Sequence, residues 1–556
     1  MPAIKAGFAY AYALLCVIVA VGGAMIRYKR VLASAIGFLA GMAAGNAVQA
    51  QKYGGTLRIN SPDSPATMSI LEEATSFAVG PMMGVFNNLV LFDQSVKQAS
   101  LQSIVPDLAT SWAWNEDGTL LTFQLRQGVR WHDGKPFTAK DVVCTFDLRL
   151  DRGPEKLRVN PGISAFKNLD HVTANGDFEV TFHLKRPQVG FLTLFAAGGG
   201  AIYPCHASPE RMRRQPIGTG PFKFVDYKAN QFIKLVRNPD YWKPGRPYLD
   251  GIEYTILKST ATAVLSFASG SIDMMFPYWV TIPVMKDLKR QTPSAMCEIV
   301  PGTINRHLLI NRSIAPFDNR DVRLAMALAL DRQAFIDIIG DGQGDIGGVL
   351  QPPPAGLWGM PNDLLKQLPG YGGDVRQNRQ QGRALMEKLG YGPGKRLKVK
   401  VTTRDLPVYR DPSVILIDQL KEVHIDGELE PIETAAYFPK IRRKDYTVSL
   451  NLATSGGIDP DTVFDLFYGC GSSLNWDGYC NPEVDRMAEQ QSREKDHEQR
   501  RRLSWEIERK LAEDASRPMI FYASSASCWQ PAVKGLTLMV NTIFSSYRFE
   551  DIWLDK

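Results

Sequence analysis

The chain alternates between two hydrophobic rhythms. In its first half the period is two. In "WNEDGTLLTFQLRQGVRWHDGK", Leu121, Phe123 and Leu125 alternate with polar residues, and Asp117-Gly118 and Asp133-Gly134 supply turns. This predicts a two-faced antiparallel strand in a hairpin, and "NGDFEVTFHLKRP" repeats the pattern around Asn175-Gly176. "YGGTLRIN" predicts an earlier strand with Leu57 and Ile59 on one face, and "VFNNLVLFD" a helix end running into a short strand. From about Pro316 the period lengthens. "FDNRDVRLAMALALDRQAFIDII" predicts one amphipathic helix with Asp and Asn near its start. After a Gly- and Pro-rich loop from Gly340 to Pro369, "RLKVKVTT", "PSVILIDQLKEV", "GELEPIE", "AAYFPKIRR" and "YTVSLNLAT" read as strand, helix, strand, helix, strand. That alternation predicts an α/β lobe with mainly parallel strands. A charged helix over Glu494 to Glu513 then precedes "RPMIFYA", a buried strand, and Arg500 to Arg502 read as a solvated helix face.

With 556 residues the chain is too long for one core, and three domains are expected. The net charge of +6 is concentrated at the start: Lys5, Arg27, Lys29 and Arg30 lie in the first fifty residues, which carry no acid, leaving +2 for the remainder. No nucleic-acid footprint follows from so small an excess. "RYKR" before "VLASAIGFLAGMAAG" and "NAVQA" has the charged, apolar and small-residue regions of an export signal, with cleavage expected after Ala50. An earlier apolar run, Ala6 to Ile26, is long enough to span a bilayer. Either translation starts at Met25 or that run is an anchor. Cys16 lacks the small residue before it that a lipoprotein anchor needs.

Six further cysteines follow, none in a Cys-x-x-Cys pair, so neither zinc nor thioredoxin-like chemistry is indicated. Export permits disulfides. Cys470 and Cys480 flank a compact loop of turn formers and are expected to pair, whereas Cys144 reads as a buried thiol on an apolar helix face.

Several stretches imitate reaction centres. "RWHDGKPFTAKDVVCTF" places His132 beside Asp133 and Gly134-Lys135 before a helix. Chain neighbours at a strand end point apart, Lys135 is followed by Pro, and Thr138 with Asp141 fits a capping box. The stretch is a strand-turn-helix joint. "GQGDIG", Gly342 to Gly347, spells a dinucleotide fingerprint but follows a helix and leads into "VLQPPP". The seven histidines form no His-x-x-x-His pair, and no nucleophile elbow is present. Asp459 and Asp461, in a Gly/Pro turn, read as helix caps.

"VPDLATSWAWNEDGTLLTFQLRQGVRWHDGKPFTAKDVVCTFD", Val105 to Asp147, closely resembles the signature of family 5 extracellular solute-binding proteins of peptide- and nickel-type ABC importers. "GGTLRI", "PIGTGPFKF", "LVRNPDYW", "INRSIAPFDNRDVRLAMALALDRQAFI", "YCNPEVDRM" and "RPMIFY" extend the resemblance along the chain. It implies an α/β, two-lobed periplasmic-binding-protein clamshell of type II with an extra third domain. Lobe I would comprise 51–82, 213–306 and 528–556, the extra domain 83–212, and lobe II 307–527. The implied role is the non-enzymatic capture of a solute between closing lobes. A monomer without cofactor, metal or nucleic acid would deliver it to permease subunits from the periplasm of a Gram-negative cell. A short peptide is the first solute implied, with an opine or amino-acid conjugate, an oligosaccharide or a metal chelate as alternatives. An exported hydrolase lacks a nucleophile with a base in reach. A membrane-tethered sensor requires Ala6 to Ile26 to be retained.

By the same resemblance, Arg404 falls near the position that pairs with the ligand carboxylate, and Tyr409 is a wall residue. "LATSGGIDPDTVF" matches the ligand loop, so Thr454, Ser455, Gly456, Gly457 and Asp459 are expected at the ligand. Peptide-binding relatives carry an acid for the ligand amine where this chain has Gly456. The amine anchor is therefore missing or supplied elsewhere.

Overall fold

The period-two segments build sheets as their patterning requires. The computed structural model describes residues 51–556 except Ala74, Ser455 and Gly456; the expected signal, its cleavage point and the apolar run Ala6 to Ile26 lie outside the described residues. Strand Leu120–Leu125 buries Leu121, Phe123 and Leu125 on one face. It is central to a four-stranded antiparallel sheet with Ala109–Trp114, Glu179–Leu184 and Leu169–Ala174. Gly118 and Gly176 turn the two hairpins with φ of 68° and 82°, a region open to glycine without Cβ strain. Helix Ala139–Arg149 starts at the capping box of Thr138 and Asp141 and sets Phe146 against Phe166, Phe182 and Phe195. The side chains of His132 and Asp133 do diverge: His132 Nε2 meets the Gly220 carbonyl at 3.0 Å, and Asp133 bonds His206 at 2.8 Å.

A second sheet joins segments far apart in sequence. Thr56–Ser61 runs parallel to Gly251–Ile256, which pairs with Phe232–Arg237 and then Phe222–Lys228. Bridges through Met274 link it to the antiparallel pair Met296–Val300 and Ser525–Trp529.

The third sheet has the order Gly344–Asp345, Met519–Ala523, Asn305–Ile310, Val448–Ala453, Leu397–Arg404, Ile425–Ile432. The expected parallel strands are present, since Leu397–Arg404 pairs in parallel with both of its neighbours. The sheet is nevertheless mixed, because Asn305–Ile310 is antiparallel to both strands beside it. The βαβαβ pattern specifies only the parallel part; the other strands enter from separate stretches of chain. The single helix expected after Pro316 is also two, Arg320–Ala329 and Arg332–Gly340. Asp331 separates them by accepting a hydrogen bond from the Ala334 amide at 3.1 Å, which starts a new helix in a new direction.

The chain crosses between the second and third sheets at residues 301–304 and again at Ser524. The two crossings touch: a Cβ on Gly302 would collide with the Ala523 backbone. Strands Asn305–Ile310 and Ser525–Trp529 each span a domain boundary expected from sequence, at 306/307 and 527/528. Among the described residues no helix is long and apolar enough to cross a membrane.

Among the described residues three disulfides are present: Cys144–Cys205, Cys297–Cys528 and Cys470–Cys480. Cys144 is thus not a buried thiol. Its helix faces the chain returning at Tyr203 to Cys205, where Asp141 already receives the Cys205 amide at 2.9 Å. Cys297 and Cys528 sit opposite each other on paired strands, separated by 231 residues. Loop-closure entropy predicts that replacing this pair with serine costs about 5 kcal/mol, against about 3 kcal/mol for the ten-residue Cys470–Cys480 loop. Denaturant unfolding of the two double variants checks the order.

Candidate ligand cleft

Arg404 ends strand Leu397–Arg404, an internal strand of the third sheet, and is 2% exposed. A guanidinium so deeply buried must be matched by acceptors. Its partner comes from the other side of the crossings: Asp63, just beyond strand Thr56–Ser61, accepts from Arg404 Nη2 at 3.1 Å. The Thr434 hydroxyl accepts from Arg404 at 2.9 Å and itself donates to Asp63. Tyr409, in the first turn of helix Pro407–Lys421, offers its hydroxyl oxygen at 2.9 Å. Burial would lower the Arg404 pKa, but Tyr409 and Asp63 outweigh it and hold the group above its ordinary value. Tyr409 is buried and braces Arg404, with its ring 4.8 Å from the guanidinium carbon. Phe77 continues the stack, 5.8 Å from Arg404 and 4.6 Å from Trp279 between ring centroids.

Cavities flank this pair. One of 560 Å³ is lined by Glu73, Arg158, Thr434, Phe438, Arg442 and Trp476. Another of 380 Å³ has mostly apolar walls, including Met275, Phe276, Trp279, Ile338 and Leu406, with Lys258 and Asp411 also lining it. A third, of 40 Å³, lies by the crossings against Trp279, Arg306 and Ser524. Each takes walls from both sides of the crossings. Burial is the largest influence on Glu73 and pushes its pKa up to about 7, with Thr75 and the arginines 404, 442 and 158 pulling the other way.

The expected ligand loop lies beyond strand Val448–Ala453. Thr454, Gly457 and Asp459 line a cavity of 50 Å³ with Asn305, Trp358 and Tyr522; Ser455 and Gly456 lie outside the described residues. Asp459 is 3% exposed, and its carboxylate is taken by Arg500 in a two-pronged pair at 2.7 and 2.8 Å. It also caps the short helix beginning at Pro460, accepting from the Asp461 amide at 3.0 Å. Asp461 lies 3.3 Å from Arg500 and accepts from Gln188 and Ser492 at 2.8 and 2.9 Å. Gly190 leaves room for this knot, since a Cβ there would overlap the Asp459 carboxylate. Arg500 is therefore not on a solvated face. Helix His497–Glu513 buries it at 1% exposure, whereas Arg502 is exposed. Burial lowers its pKa, but the two aspartates reverse that and hold it above its ordinary value.

Asp63, Glu73, Trp279, Arg306, Thr434 and Phe438 escaped sequence reasoning. Asp63 and Arg404 are 341 residues apart, and no periodicity connects them. The signal the sequence offered was Arg404, placed near a ligand-pairing position by resemblance to the family.

Two α/β bodies joined by paired crossings, with cavities walled by both, define a type II clamshell binding fold. Comparison with known proteins agrees. The profile described as "Bacterial extracellular solute-binding proteins, family 5 Middle" matches residues 103–475. The chain belongs to that family, one of binding proteins. It is 25% identical over 532 residues to the oligopeptide-binding protein AppA of Bacillus subtilis, covering 91% of this chain and 92% of that one. Similar solved structures include DppA from Helicobacter pylori in complex with the peptide STSA, with a TM-score of 0.79, 22% identity and coverage of 91% and 99%. AgaA from A. tumefaciens R10, in complex with agropinic acid, has a TM-score of 0.79, 20% identity and coverage of 90% and 99%.

Two predictions follow from the charges. Arg500→Gln strands two buried carboxylates and should cost about 3–5 kcal/mol in denaturant unfolding. The raised pKa of Glu73 makes a contribution that is present below the ordinary carboxylate range and lost as pH rises through about 7. Glu73→Gln should therefore flatten the fall in stability between pH 5 and 8, by up to about 3 kcal/mol. Melting temperatures across that range check it.

Proposed function

We propose that this protein is the substrate-binding component of an ABC importer. It captures a short peptide between two lobes closing about residues 301–304 and Ser524. The observation that carries the reading is the cleft itself: cavities of 560 and 380 Å³ between the lobes, with a buried Arg404 at a strand end. The peptide-binding relatives support the choice of solute. In this reading lobe I is built on the second sheet, lobe II on the third, and the antiparallel sheet around Leu120–Leu125 forms the extra domain. Backbone groups near Thr454 and Gly457 face the peptide, and Arg404 with Tyr409 lies beside it. The segment 1–50 directs export to the periplasm, and the mature monomer hands its solute to the permease.

An amino-acid conjugate is the second reading. Gly456 stands where an acid would hold a peptide amine, and a structure with agropinic acid shares the fold.

Unfolding and refolding the protein strips any carried-over ligand, after which melts are compared with and without a mixed pool of short peptides. A ligand at a hundred times its Kd stabilises by about 2.7 kcal/mol, so a clear rise in Tm is expected. A cooperative melt that the pool leaves unmoved counts against the peptide reading.

A further inference from the structure

Among the described residues, every buried arginine but Arg306 has a carboxylate or a backbone carbonyl in reach, although Arg548 meets its carboxylate only as an ion pair at 3.3 Å. Arg404, Arg500, Arg517 and Arg548 face carboxylates, and Arg149, Arg323 and Arg332 donate to backbone carbonyls. Arg306 is 6% exposed, yet among the described residues no side chain or carbonyl accepts a hydrogen bond from it, and its Nε is fully enclosed. Its close support is the face of Phe521, 4.7 Å from the guanidinium carbon, with a further pull from Tyr409, modest attractions beside the cost of burying the charge. Burial draws its pKa down to about 10, which leaves it charged at neutral pH.

Arg306 lines the 40 Å³ cavity by the crossings. A second, independent donor lines the same space: Trp279 Nε1 is buried and has no acceptor among the described residues. Two orphaned donors from opposite lobes, in a space that Ser524 and Thr281 also line, call for an acceptor that the described residues do not supply. The space admits a group of carboxylate size. It shares Trp279, Val280, Thr281, Ile339 and Val408 with the 380 Å³ cavity of mostly apolar walls.

We propose that Arg306 and the Trp279 indole form the anchor for the ligand's carboxylate, with an apolar body occupying the adjoining cavity. The solute class is thus a small acid with an apolar body: a peptide with a free C-terminus, or an N-acylated amino acid. Arg404 is already neutralised by Asp63 and is not the anion's main anchor. The inference deepens the peptide reading and shares its site, but it does not require the acid to be a peptide.

The test compares ligand-stripped wild type, Arg306→Gln, Arg306→Lys and Trp279→Phe. The probes are a pool of apolar di- and tripeptides, the same pool as C-terminal amides, and a pool of N-acetyl amino acids, read by Tm shift and calorimetry. The free-acid peptides should bind wild type and lose about ten- to hundredfold in affinity in Arg306→Gln, the range for a hydrogen bond to a charged group. Trp279→Phe should lose less, and amidation should mimic Arg306→Gln. Without ligand, Arg306→Gln should melt no lower than wild type, because it removes an unmatched charge; a purely structural arginine would lower it. If that variant does not fold, Arg306→Lys carries the test, keeping the charge but losing the two-pronged geometry and at least part of the affinity. Amides binding as tightly as acids, or Arg306→Gln binding unchanged, overturns the proposal. If peptides fail on wild type while N-acetyl amino acids bind in an Arg306-dependent way, the peptide reading falls and this inference stands. Failure of both acid pools overturns both.

Discussion

A guanidinium taken out of water must find acceptors, and this constraint organises the structure. The cost of burying an unmatched charge exceeds most single packing terms, so each buried arginine fixes the segments that supply its partners. Arg404 ties strand Leu397–Arg404 to Asp63 across the crossings. Arg500 holds Asp459 and Asp461, and Asp461 also binds Gln188 near the antiparallel sheet. Arg548 in the C-terminal tail faces Asp107, which Lys243 also approaches at 3.4 Å, and Lys243 reaches Glu550 at 2.6 Å. Each knot joins stretches of chain hundreds of residues apart. Together they link the segments that carry the three sheets.

The same constraint shapes the cleft. Charges that a ligand has to meet are those the protein has left unmet. Asp459 and Arg404 are spoken for internally, so their carboxylate and guanidinium position the walls. Among the described residues lining these cavities, buried donors without acceptors are found on Arg306, Trp279 and, in the larger cavity, Trp476. All three are donors, and a solute rich in acceptor oxygens complements them. Arg306 and Trp279 line the smallest cavity from the two sides of the paired crossings.

Local order was legible in the sequence wherever neighbours along the chain decide it. Alternation at Leu121, Phe123 and Leu125 placed a strand, Thr138 with Asp141 placed a helix start, and the glycines of the Asp-Gly and Asn-Gly pairs placed turns. The block from Val105 to Asp147 announced the family, because a joint of strand, turn and helix needs those residues in that order. Charge patterning gave a false reading at Arg500 to Arg502, where three like charges looked solvated and one is buried. Composition cannot reveal which face of a helix a distant acid will meet.

What the sequence by itself determined was the set of elements, their caps and the family to which the fold belongs, since periods of two and 3.6 and short-range hydrogen bonds act within a few residues. Only the tertiary structure decided the pairing of Cys144 with Cys205, the mixed direction of the third sheet, the union of Asp63 with Arg404 and the isolation of Arg306. Those outcomes depend on groups brought together by chain crossings hundreds of residues apart. A charge is matched or orphaned only once its neighbours in space are set.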